Sequence, residues 1–175
     1  MHKKVPNKFY FINSFKKNNI DKLDNNTAII FRNYNKKINL TEILKIKEYC
    51  SNKRIKFFLS NNFKMALKLR LDGVYLPSFN KDIRHLNYNI NSNFLIIGSA
   101  HNIKEIRIKE KQNVSLIFLS SIFKRNKNYL GVYKFKILQS LTRKKVIALG
   151  GISKTNEKKI KLLSCEGISG ISYFE

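Results

Sequence analysis

The stretch Lys145-Val-Ile-Ala-Leu-Gly-Gly-Ile-Ser153 decides the fold. Five residues suited to a buried strand, Lys145 to Leu149, run into two glycines. Ser153 then stands where it can cap a helix running through Ile160 to Leu163, with Gly167 just past its end. Strand, glycine turn and helix in that order are the repeating unit of a parallel α/β fold. The glycine pair also lets backbone N–H groups approach an anion closely, and the N-terminus of a following helix would add positive potential. A plain tight turn needs the same residues, so the pair acquires a function only from its place in a longer series.

That series extends in both directions. Short β-branched or aromatic runs occur at Lys8 to Ile12, Ala28 to Arg32, Lys56 to Ser60, Gly73 to Leu76, Phe94 to Gly98 and Ser115 to Leu119, with an eighth expected at Gly170 to Phe174. They are almost wholly apolar, as strands covered on both faces must be. Between them lie helix-period stretches: Leu40, Ile43, Leu44 and Lys47 after Asn39; Phe63, Ala66, Leu67 and Arg70; Ile103, Ile106 and the stem of Lys109 or Glu110. Eight strands alternating with helices predict a closed (β/α)8 TIM barrel occupying residues 1–175 as one domain. Barrels of this kind usually need about 250 residues. This one is therefore expected to be shortened and to lack its last helix, leaving apolar surface between strands eight and one. Large apolar patches seldom stay bare, so a second copy of the chain is expected to cover it as a homodimer.

Composition excludes other classes. The chain has 35 Lys plus Arg against 11 Asp plus Glu, a net charge of +24, yet 43% of its residues are hydrophobic, too many for a disordered tail. Lys (28), Ile (23) and Asn (22), all with A/T-rich codons, account for most of the bias, so mutational pressure is the favoured explanation of the charge, with a basic nucleic-acid-binding protein as the alternative of a different class. The lysines are spread through the chain, with no basic tail, stacking-aromatic motif or zinc-finger spacing, which argues further against nucleic acid. No apolar run is long enough to cross a membrane, and the N-terminus does not read as a signal peptide. Cys50 and Cys165, far apart and outside any metal-ligand spacing, read as buried thiols of a cytoplasmic protein.

The candidate site residues follow from strand ends. At the carboxyl ends of barrel strands seven and eight phosphate commonly binds, which selects Gly150, Gly151 and Gly170. Ser99 and His101 end the fifth strand, where histidine can serve as acid, base or hydrogen-bond donor. Arg32 ends the second strand, and Lys127 lies in the loop after the sixth; both can hold phosphate oxygens.

Taken in order, Phe31-Arg32, Asp72-Gly-Val-Tyr-Leu76, Ser99-Ala-His101, Ser120-Ser-Ile-Phe123, Ala148-Leu-Gly-Gly-Ile152 and Gly167-Ile-Ser-Gly170 resemble the thiamine-phosphate synthase/TenI family. The resemblance runs from about Lys8 to Glu175. It implies a phosphorylated small-molecule substrate. The synthases join an aminopyrimidine-methyl pyrophosphate to a thiazole phosphate with release of pyrophosphate, aided by Mg²⁺ and basic residues. TenI-type relatives isomerise a thiazole phosphate, using the histidine that His101 matches. The carboxylates that would hold Mg²⁺ fall on Asn61 and Asn80, both amides here. Of the family's Gln-x-Arg-x-Lys after strand two, Ile30 to Tyr34 keeps Arg32 alone. The resemblance thus implies a retained phosphate half and an altered metal–pyrophosphate half, with a TenI-like isomerase or a non-catalytic phosphate-ligand binder as the alternative to a synthase.

Overall fold

The computed structural model describes residues 5–34 and 39–175. Eight parallel strands close into one barrel in sequence order, β1 to β8. β1 (Lys8–Ile12) pairs with β2 (Thr27–Phe31), and the series continues through β3 (Phe57–Ser60), β4 (Gly73–Leu76), β5 (Leu95–Ala100), β6 (Leu116–Leu119) and β7 (Lys145–Leu149) to β8 (Gly167–Gly170). The ring closes where Lys8, Phe9 and Tyr10 register with Ile168, Ser169 and Gly170. Outside lie α1 (Lys17–Asp21), α2 (Leu40–Asn52), α3 (Phe63–Lys68), α4 (Ile103–Lys111), α5 (Gly131–Ser140) and α6 (Glu157–Lys161). A single 3₁₀ turn, Arg84–Asn87, covers the stretch between β4 and β5. These short helices, and strands of four to six residues, are how the barrel fits the chain.

Alternation along each strand sorts the core into two shells. Phe9, Phe11, Phe58, Tyr75, Ile97, Phe118 and Ile147 point inward, while Tyr10, Ile29, Phe57, Val74, Ile117 and Val146 face the helices. Aromatics fill the small barrel: Phe9 and Phe118 meet edge to face at 4.9 Å, Phe11 and Tyr75 at 5.2 Å. Gly73 leaves the volume that Phe58 takes, for a Cβ there would lie 2.6 Å from the Phe58 ring.

Three expectations are corrected. The eighth strand is Gly167–Gly170, not Gly170 to Phe174, because pairing with β1 outweighs the higher strand propensity of Ile171-Ser-Tyr-Phe174. The last helix does not start at Ser153. It starts at Glu157, and the Ser153 N–H instead donates to Asn156 Oδ1 at 3.0 Å, while Asn156 Nδ2 turns back to the Gly151 carbonyl at 2.8 Å. The surface between β8 and β1 is not bare. Among the described residues no helix follows β8, but Phe174 packs on Tyr10 at 5.2 Å, and the Tyr10 hydroxyl donates to Glu175 and accepts from Asn19 of α1. Tyr10 is consequently 1% exposed, while Ile171 just past β8 is 42% exposed.

Candidate functional site

At the carboxyl ends of β6, β7 and β8 a cavity of about 300 Å³ opens, a size at the lower end for small-molecule sites. Gly150 (φ +102°) and Gly151 (φ +75°) form its wall in conformations that side-chain-bearing residues rarely adopt. Space reinforces the requirement: a Cβ on Gly150 would sit 2.3 Å from Ser121 Oγ, and one on Gly151 2.5 Å from the Lys124 nitrogen. The β6–α5 loop lies directly on this turn. The Ile122 N–H donates to Leu149 O (3.0 Å), and the Phe123 and Lys124 N–H groups donate to Gly150 O (2.9 and 3.2 Å). Those bonds bring Lys124 to the cavity rim; Lys127, the lysine that sequence spacing favoured, is exposed and does not line it. Arg32 and Gly170 do. Among the described lining residues there are two cationic side chains, Arg32 and Lys124, and no carboxylate.

Arg32 also joins this cavity to a second one of about 580 Å³ over β1 and β2, lined by Lys16, Asn13, Asn33, Tyr34 and Glu175 among others. The guanidinium lies 4.6 Å from the centroid of the Phe11 ring, which closes the barrel beneath it. The two cavities share Phe11, Arg32 and Ile171 and form one mouth.

His101 stands at the rim, just past β5. Asn102 and Glu105 cap α4 reciprocally, Asn102 Oδ1 accepting from the Glu105 N–H and Asn102 Nδ2 donating to Glu105 Oε1. Glu105 Oε2 also accepts from the His101 N–H at 2.7 Å, which fixes the backbone from which the imidazole projects. His101 Nδ1 lies 2.8 Å from the Ser120 carbonyl. A carbonyl only accepts, so Nδ1 carries the proton and Nε2 is left for the cavity that His101 lines. Ser99 lies below it, inside the barrel and 4% exposed; burial pushes the Tyr75 phenol far above its ordinary value, so it stays protonated. The structure therefore gathers Arg32, His101, Gly150, Gly151 and Gly170 around one space, sets Ser99 beneath the rim and leaves Lys127 outside.

The opposite side of the mouth, over β3 and β4, is differently made. Asn80 Nδ2 donates to Asn61 Oδ1 at 2.7 Å, and Asn80 Oδ1 accepts from the Asp82 N–H (2.9 Å) and from Gln112 Nε2 (3.0 Å). Both amide oxygens are thus engaged. No group of three or more His, Cys, Asp or Glu suited to a metal occurs among the described residues. Mg²⁺ demands anionic oxygen and gives up its waters reluctantly, so two neutral, already bonded amides do not fit it. Beside them Tyr34 donates or accepts a 2.7 Å hydrogen bond with Ser60 and meets Phe79 edge to face at 5.6 Å.

A ring of parallel strands with a polar, two-part mouth at the strand carboxyl ends is a (β/α)8 barrel of the kind whose loops, and not whose frame, carry function. The sequence profile of the thiamine monophosphate synthase family matches residues 21–174, and the chain belongs to that family. It is 30% identical over 146 residues to a thiamine-phosphate synthase of Prochlorococcus marinus subsp. pastoris, covering 81% of this chain and 41% of that protein. A putative thiamine-phosphate synthase 2 of Aquifex aeolicus is 32% identical over 122 residues, 66% of this chain and 64% of its own length. The chain thus spans between two fifths and just under two thirds of these relatives. Among solved structures, thiamine phosphate pyrophosphorylase from Pyrococcus furiosus superposes with a TM-score of 0.78 at 21% identity, over 97% of this chain and 86% of that one, a likeness of fold.

Proposed function

We propose that this chain is a thiamine-phosphate synthase-like protein of thiamine biosynthesis that holds a thiazole-type phosphate at the β6–β8 side of its mouth. The observation that carries this reading is the carboxylate-free cavity in which Gly150 and Gly151 meet Arg32 and Lys124. Phosphate oxygens would take backbone N–H groups at the glycine turn and at the Gly170 end of β8, with the two cations balancing charge. The helix dipole has no part, because α6 begins six residues after Gly151. The ring would then face Arg32 and His101, above Ser99.

In the condensation, the thiazole nitrogen attacks the methylene carbon while the carbon–oxygen bond to pyrophosphate breaks. The charge on the departing group needs compensation. Arg32 and Lys16 border the larger cavity, but Lys16 is paired with Glu175 of the same lining at 3.6 Å, which leaves Arg32 as the unpaired positive charge among the described lining residues, and Asn61 and Asn80 do not supply the metal that the family leads one to expect. Weak synthase turnover follows. A TenI-like isomerisation is the second reading, and the imidazole favours it: with Nδ1 held by Ser120, Nε2 can remove a proton and return it elsewhere without a metal. No helix among the described residues is long and apolar enough to cross a membrane, which accords with the cytoplasmic setting of this reading.

The test is a single-turnover assay with both thiamine precursors, with and without Mg²⁺, run beside isomerisation of the thiazole phosphate alone. Thiazole phosphate binding with little condensation supports the reading. Robust Mg²⁺-dependent condensation would restore a full synthase, and failure to bind thiazole phosphate would reject the site.

A further inference from the structure

We propose that Lys109 is a built-in cation of the loop after β4, and that its charge, with the amide pair above it, keeps divalent metal out of this side of the mouth. Lys109 lies on α4, and its residue is 0% exposed. Its stem crosses β5 where Gly98 leaves room, for a Cβ on Gly98 would be 2.8 Å from Lys109 Cδ. The ammonium ends under the β4 loop and donates three hydrogen bonds of 2.8 Å each, to Pro77 O, Asn80 O and Gln112 Oε1. All three acceptors are neutral. Oxygens converge on the ammonium as they would around a small bound cation, and they draw both ends of the loop, residues 77 and 80, toward one charge.

The rest of the loop is tied to the same centre. Gln112, also 0% exposed, accepts from Lys109 and donates through Nε2 to Asn80 O (3.2 Å), Asn80 Oδ1 (3.0 Å) and Asp82 O (2.8 Å). Its backbone carbonyl meets His85 Nε2 at 2.9 Å, from the 3₁₀ turn that follows. Asn80 then bonds Asn61, so a fixed positive charge sits one hydrogen bond from Asn80 and two from Asn61, the positions at which the family resemblance expects metal carboxylates. A buried charge without a carboxylate partner acts over a longer range than a solvated one. It repels a divalent ion, and it would neutralise from below any carboxylate placed at position 61 or 80. The amides are therefore not an isolated loss: they suit a loop that already contains its cation. This inference concerns metal exclusion alone and stands or falls apart from thiazole phosphate binding.

The experiment measures Mn²⁺ binding by electron paramagnetic resonance for the full chain and for the variants Asn61→Asp/Asn80→Asp, Lys109→Met, and all three changes together. Wild type and Lys109→Met should show no saturable binding at millimolar Mn²⁺. The double Asn variant should bind weakly, and the triple variant at least tenfold more tightly. Equal Mn²⁺ affinity in the double and triple variants would overturn the proposal, as would tight binding by wild type at this mouth. A purely structural lysine would change melting temperature without this coupling. Should Lys109→Met fail to fold, Lys109→Gln takes its place in the triple variant: Mn²⁺ binding at least tenfold tighter than in the double variant supports the proposal, and equal affinity overturns it.

Discussion

The two sides of the mouth are built from similar short loops, yet they use their polar groups in opposite ways. Over β3 and β4 the polar side chains bond one another: Asn61 with Asn80, Asn80 with Gln112, Gln112 with Lys109. Over β6 to β8 the loop bonds are made by backbone, through Ile122, Phe123 and Lys124 to Leu149 and Gly150, which leaves Arg32, Lys124 and one imidazole nitrogen of His101 at the rim of a cavity. The first arrangement ties up its donors and acceptors beside a cavity of about 270 Å³ lined by Asn61, Asn80, Asp82 and Arg84 among others. The second equips a binding site. Polar residues at strand ends are thus not enough to mark chemistry; what matters is whether their donors and acceptors are already engaged.

The comparison can be broken most forcefully at Gly150. Gly150→Val should force the Ser121 segment off the glycine turn, because its Cβ would fall 2.3 Å from Ser121 Oγ at a φ of +102°. Strain and overpacking together should cost at least about 3 kcal/mol in urea unfolding and abolish phosphate binding. Asn61→Ala, on the other wall, should leave phosphate affinity within about twofold.

A second effect concerns pH and Lys109. Burial lowers its pKa from 10.5 to about 8. Below pH 8 the lysine is charged in both folded and unfolded chains, and the full burial cost is present. Between the two values the unfolded chain holds the proton that the folded chain has lost, so stability rises with pH across that window. Relative to Lys109→Met, wild type should therefore gain up to about 3 kcal/mol between pH 8 and pH 10.5, less whatever its three hydrogen bonds return to the charged form. A flat difference in chemical denaturation over that range would contradict the lowered pKa, because the folded chain would then keep the proton as long as the unfolded chain does.

Smaller effects sharpen the anion side. Lys124→Gln and Arg32→Gln should each weaken inorganic phosphate binding by about tenfold, or 1.4 kcal/mol, while Lys127→Gln should change it by less than about twofold. Calorimetry separates these outcomes. Gly170→Ala should cost less than about 0.5 kcal/mol in stability, since its Cβ would meet Ile152 O at 3.7 Å and Tyr173 Cβ at 3.8 Å, ordinary contacts.

Much of the frame is legible in the sequence. β1, β4 and β7 begin and end where apolar β-branched and aromatic runs do, and Asn39 caps α2 as its spacing requires. β8 is not legible locally, because its Gly-Ile-Ser-Gly has poor strand propensity and is held by neighbours on both sides. The site divides similarly. Gly150, Gly151, Arg32 and His101 are recoverable from strand ends, because position along a barrel strand fixes which way a residue faces. Lys124 is not, since backbone bonds to Gly150 choose it over Lys127. Nor is the buried charge of Lys109. Its place in the apolar stripe with Ile103 and Ile106 is visible, but a lysine there ordinarily sends its ammonium to solvent. The signal for the exception is Gly98 on the facing strand together with Gln112 one turn further along.

The division of the mouth is tested most directly by calorimetric titration of the wild-type chain with thiazole phosphate, in the presence and absence of millimolar Mg²⁺. One saturable site with the same affinity in both conditions, competed by inorganic phosphate, is the predicted result. Binding that appears only with Mg²⁺, or that Mg²⁺ strengthens more than about tenfold, would contradict it, because the wall over β3 and β4 would then be a metal site after all.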